Sequence, residues 1–104
     1  MKLVNIDYIP GEEITEALGL VKGTIVQSKN IGRDFMASMK TIVGGEITGY
    51  TDMLITARQI ATKRMVDDAM SLGADAIINV KYGSSSVMSG AAEVIAYGTA
   101  VKLK

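Results

Sequence analysis

Between Ala91 and Leu103 the chain alternates in side-chain size. Ala92, Val94, Ala96, Gly98 and Ala100 fall on one side, and Ile95, Tyr97, Val101 and Leu103 on the other. A period of two places these sets on opposite faces of a strand. Residues 14–28 repeat the division. Ile14, Leu18, Leu20 and Val26 share one face, and Ala17, Gly19, Val21, Gly23 and Ile25 share a smaller one. Glycine weakens a strand unless a bulge or an approaching backbone requires it, so Gly19 and Gly23 mark such places. A helix supplies the matching surface. Leu54, Ala57, Ala61, Met65, Ala69 and Leu72 form one stripe, with Gln59, Lys63, Asp67 and Ser71 opposite, and Gly73 ends the helix. Small residues on both partners let the helix backbone lie close to the small face of the sheet. Lys63/Asp67 and Arg64/Asp68 are spaced for ion pairs worth about 0.2–0.5 kcal/mol each.

The bulky faces are then left over, because one helix cannot shield both sides of a sheet. A chain of 104 residues buries such surface poorly by itself, and its sheet edges stay open. Association with further copies, closed by symmetry into a ring, meets both demands.

The remaining segments complete an α+β domain over residues 1–104. Asn30 is a suitable N-cap, and Ile31, Phe35, Met39 and Ile42 recur at helical spacing, so a short helix is expected over 31–42. Residues 76–82 read as a strand with Ile78, Val80 and Tyr82 on one side. Gly83-Ser84-Ser85-Ser86, with Gly90 nearby, reads as a bend or hairpin tip.

Composition excludes several functions. Eleven basic and eleven acidic residues give no net charge, against the basic surplus that nucleic-acid binding needs. Aromatic residues are 5%, with no Trp, which disfavours a base-stacking platform. The absence of Cys and His removes disulfides, thiolate or imidazole metal sites, and triads built on either residue. No apolar run approaches the roughly 20 residues of a spanning helix, and the N-terminus lacks the apolar core of a signal peptide. A cytoplasmic protein that meets neither membrane nor nucleic acid is expected.

Few residues carry candidate chemistry. Arg33-Asp34 opens the first expected helix, where Arg33 would hold an anion or the pair would lock a subunit interface; the interface reading is preferred. Gly44-Gly45-Glu46 would present amides to a phosphate or acyl oxygen, but it lacks the Lys and Ser/Thr of a P-loop and reads better as a tight turn. Glu46, Tyr50 and Arg58 would form a small polar cluster without a nucleophile. For metals, Met36 and Met39 offer thioethers, and Glu12-Glu13 and Asp67-Asp68 offer carboxylates. Methionine ordinarily fills core gaps, and adjacent acids are ordinarily solvated.

Several stretches resemble a known family. They are residues 19–23, Asn30-Ile31-Gly32-Arg33-Asp34-Phe35, Ile42-Val43-Gly44-Gly45-Glu46, Tyr50, Ala57-Arg58, residues 72–77 and Gly98-Thr99-Ala100-Val101. In this order they resemble the YbjQ-like family of bacteria and archaea, which carries the label "putative heavy-metal-binding" and has no established activity. The resemblance implies a dodecin-subunit-like fold, a small antiparallel or mixed sheet wrapped around one long helix, assembled as a cyclic homopentamer. It also implies a metal ion as a possible cofactor, although the donor set here suits that label poorly. The function expected is a non-catalytic scaffold or small-ligand binder, with Arg33, Asp34, Gly44, Gly45, Glu46 and Tyr50 at ligand or interface positions. The alternative is an enzyme with a composite site between subunits, using Arg33, Asp34, Glu46 and Tyr50.

Overall fold

The computed structural model describes residues 1–28, 42–43 and 46–104. Its strands are β1 (Lys2–Leu3), β2 (Ile14–Ser28), β3 (Ile42–Val43), β4 (Glu46–Ile47), β5 (Ala76–Met88) and β6 (Ala91–Leu103), and its helix among the described residues is α1 (Thr48–Ser71). Four strands form one mixed sheet in the order β1-β5-β6-β2, with only β1 and β5 parallel. β3 and β4 form a separate antiparallel ladder. The α+β class read from the sequence stands. The short helix expected over 31–42 lies outside the described residues, except that Ile42 belongs to β3 instead.

The two interior glycines of β2 serve different ends. Gly19 has φ 118° and sits at a register shift beside Ala17, so it forms a bulge. Gly23 faces α1, and a Cβ there would collide with the Ala61 carbonyl oxygen and the Met65 amide nitrogen and lie 2.7 Å from the Arg64 Cβ. The buried row of α1 is Met53, Ala57, Ala61, Met65 and Ala69, at steps of four. Such a row winds slowly around a helix and follows a twisted sheet. Across from it lie Val21, Val94, Ala96 and Ala100. The close helix–sheet contact is therefore where the small residues placed it.

Two polar ties flank Gly23. Arg64 Nη1 donates to the Thr24 carbonyl at 2.7 Å, and the Lys22 amide donates to Asp68 Oδ2 at 3.1 Å. These backbone groups are not used by β6, so they lie on the outer edge of β2, and α1 covers that edge with its own side chains. The Arg64/Asp68 pair expected from spacing gives way to these ties, while Lys63 and Asp67 do pair at 2.9 Å. After Ser71 the helix ends in a Schellman motif. The Gly73 amide donates to the Met70 carbonyl at 3.0 Å, the Ala74 amide to the Ala69 carbonyl at 3.1 Å, and Gly73 takes φ 76°.

β5 departs from the sequence reading twice. Ser84, Ser85 and Ser86 are not a hairpin tip; they pair with Val94, Glu93 and Ala92, and the turn falls at Ser89-Gly90. Ladder bonds to β6 outweigh the turn preference of serine, since strand propensity depends strongly on context. The second departure is a bulge. Ile78 lies opposite Thr99 and Lys81 opposite Tyr97, so Asn79 and Val80 together face Gly98. Asn79 has φ 53°, a conformation that asparagine tolerates better than most residues. Gly98 makes room, because a Cβ there would lie 2.7 Å from Ile77 Cγ2 and 2.9 Å from the Ile78 carbonyl oxygen. Ile78 consequently faces away from Val80 and Tyr82 instead of sharing a side with them.

The second face of the sheet is covered in part by the chain itself. Ile9, Ala76, Ile78 and Val101 are buried together, with Val4, Ile14 and Leu103 packed around them. The amides of Asn79 and Val80 donate to the carbonyls of Ile6 and Val4 at 2.9 and 3.0 Å, which holds the N-terminal stretch along β5. Val101 and Leu103 thus find shelter in residues 4–14, which the sequence reading did not foresee. Further along the same face, Leu20 (82% exposed), Val26 and Tyr97 remain open and Ile95 is half-buried. No helix among the described residues is long and apolar enough to cross a membrane.

Two stability measurements check this account. Gly23→Ala and Ala61→Leu both thicken the close contact and should each cost about 1–3 kcal/mol, or roughly 4–8 °C of melting temperature per kcal/mol. Gly83→Ala, whose Cβ would meet only Ile95 Cγ2 at 3.4 Å, should melt like the parent. At the bulge, Asn79→Val should lower the melting temperature by an amount equivalent to about 1–2 kcal/mol, while Asn79→Gly should not.

Candidate functional site

Of the residues singled out from the sequence, Arg33, Asp34, Gly44 and Gly45 lie outside the described residues. Glu46 opens β4, in register with Val43. Tyr50 is half-buried in the first turn of α1. Arg58 is eight residues further along the same helix, about 12 Å by helical rise, and the two side chains are not hydrogen-bonded to each other. The expected Glu46–Tyr50–Arg58 cluster therefore lacks its Tyr50–Arg58 link.

The candidate metal donors are dispersed. Glu12 pairs with Lys2 at 3.4 Å and Glu13 with Lys104 at 3.8 Å. Asp67 is held by Lys63, and Asp68 accepts from the Lys22 amide. Each adjacent acid pair is thus split between separate partners. No group of three acidic, Cys or His residues gathers among the described residues. Met53 and Met65 are packed in the core, and Met36 and Met39 lie outside the described residues.

The structure gathers other residues instead. α1 lies over β2 and β6, so the helix-facing side of β5 forms an open shelf at Tyr82. The Tyr82 ring reaches across to the helix, with its hydroxyl 2.8 Å from Thr62 Oγ1. Thr62 donates its single proton to the Arg58 carbonyl at 2.7 Å. Tyr82 must therefore be the donor to Thr62, and its oxygen keeps only acceptor capacity.

Three hollows meet at Tyr82. A cleft of about 170 Å³ is lined by Leu54, Arg58, Tyr82, Gly83, Ser84 and Val94. A shallower groove of about 650 Å³ runs along the outside of α1, between Ile55 and Lys63, with Arg58 and Tyr82 in its wall. A third, of about 490 Å³, follows residues 3–6 past Val80. Sequence reasoning missed this site because a period of two without a bulge puts Tyr82 in one row with Ile78. Asn79 inside an otherwise β-branched run, with Gly98 available opposite, was the signal.

The family model described as "Putative heavy-metal-binding" matches residues 1–104. A UPF0145 protein of Clostridium novyi is 59% identical, over 99% of each chain. One from Fervidobacterium nodosum is 57% identical, covering 100% of this chain and 96% of that one. One from Thermotoga maritima is 54% identical, over 100% and 98%. The crystal structure of a protein of unknown function from Pediococcus pentosaceus superposes with a TM-score of 0.61, over 100% of this chain and 98% of that one, at 19% identity. That likeness is one of fold. With a family match along its whole length and relatives of more than half identity end to end, the chain belongs to the YbjQ-like family.

Proposed function

We propose that the protein is a cytoplasmic, non-catalytic binding module that works as a homo-oligomeric ring, a pentamer as its family likeness implies. One observation carries the reading. The face of the sheet turned away from α1 leaves Leu20, Val26 and Tyr97 open to solvent, around the half-buried Ile95. Leu20 and Val26 share the outward side of β2, and Tyr97 lies in register with Lys22 between them. Lys22 and Thr24 lie between Leu20 and Val26 on that side, and Val26 is opposite Glu93, so this face mixes apolar and polar side chains across two strands. Exposed apolar side chains rimmed by polar ones mark interaction surfaces, and a second copy supplies the same chemistry. Because α1 blocks the middle of the β2 edge, burial of this face drives the association more than extension of the sheet.

The non-catalytic part rests on the chemistry gathered at Tyr82. A guanidinium, a phenol and two hydroxyls bind and orient, but among the described residues no base is positioned to activate a nucleophile there. The metal label of the family finds no ready donor cluster among the described residues.

Native mass spectrometry of the purified protein tests the reading. The expected species is a multiple of the 11.0 kDa chain. Leu20→Asp should shift it to smaller species while circular dichroism stays unchanged. A monomer at micromolar concentration for the parent protein would overturn the proposal.

A further inference from the structure

We propose that the cleft between α1 and β5 binds a small carboxylate bearing a compact apolar group, with Arg58 as its anchor. Its described lining residues all come from one chain, so the proposal does not rest on the ring.

Charge is the first argument. α1 carries three basic residues, Arg58, Lys63 and Arg64. Lys63 is paired with Asp67, and Arg64 is spent on the Thr24 carbonyl. Arg58 has no ion-pair or side-chain hydrogen-bond partner among the described residues, and it lines both the cleft and the groove beside it. Among the described residues, no acidic side chain lines either hollow. A planar fork of N–H donors facing a cleft without a counter-charge is suited to two-point contact with an oxyanion.

The walls select the rest of the ligand. Leu54 and the buried Val94 are apolar, and the Tyr82 ring is a flat side. Because the Tyr82 proton is committed to Thr62, the phenol gives a surface and not a donor. The second donor is the Ser84 hydroxyl. It has no hydrogen-bond partner among the described residues. One guanidinium and one hydroxyl match a single negative charge; a phosphate dianion would be left partly unpaired against apolar walls. The cleft volume of about 170 Å³ corresponds to five or six water volumes at roughly 30 Å³ each, the scale of an acid of about four to seven carbons.

β5 positions the site. The Asn79–Val80 bulge turns Tyr82 toward the helix, and Ser84 then follows on the same face, opposite Val94. Serines that read as turn formers in the sequence are thereby presented in fixed register from a strand.

Isothermal titration calorimetry on the full chain tests the proposal with benzoate, butyrate and inorganic phosphate as probes. Benzoate should bind saturably, one per chain, and at least tenfold more tightly than phosphate. Arg58→Gln should weaken benzoate at least tenfold, Arg58→Lys should fall between, and Ser84→Ala should cost a fewfold. Lys63→Gln, outside the cleft, should leave the affinity unchanged. Melting curves of each variant should match the parent, since Arg58 and Ser84 are exposed. The proposal is overturned if benzoate gives no saturable heat up to tens of millimolar, or if Arg58→Gln and Ser84→Ala both bind it as the parent does. Native mass measured on the same samples separates the two readings: a monomer that still binds benzoate refutes the ring alone, and a ring that ignores it refutes the carboxylate site alone.

Discussion

The contact between Gly23 and the α1 backbone at Ala61 and Met65 is the constraint on which the rest of the architecture depends. A helix that approaches a strand this closely is committed to it. Arg64 and Asp68 then tie the helix to the edge of β2 on either side of the glycine. Among the described residues, the same commitment leaves β5 largely without a helical cover. One local contact thus accounts for a protected edge on one side of the sheet and an open shelf on the other.

The opposite face follows a different logic. Among the described residues nothing helical covers the bulky side, and the N-terminal stretch covers the part around Ile78, Val101 and Leu103. It can do so because the bulge at Asn79 turns backbone amides outward to the carbonyls of Val4 and Ile6. Leu20, Val26 and Tyr97 lie beyond its reach. An apolar surface of that kind is costly to leave in water, and the proposed association of copies would bury it.

The bulge links fold and chemistry. Without the extra residue at 79–80, Tyr82 would point away from α1, and neither its bond to Thr62 nor the cleft against Arg58 would form. Gly98 is the partner that makes the extra residue fit. The cleft is therefore a consequence of backbone register more than of any motif, and no pattern of reactive side chains announces it.

Periodicity by itself determined the class of the fold, the span of β2, the start and end of β6 and the close packing of the alanine row of α1 on the small face. Those features rest on side-chain size at fixed spacing, which a single strand or helix carries within its own residues. Other features were decided only by tertiary structure: the continuation of β5 through Ser84–Ser86, the bulge that separates Ile78 from Tyr82, the shelter of Val101 by Ile9, and the meeting of Arg58, Thr62 and Tyr82. Each depends on a partner distant in sequence. Ladder bonds from β6 overrule the turn preference of serine, and a one-residue change of register reverses which face a side chain occupies. A local pattern has no access to such events.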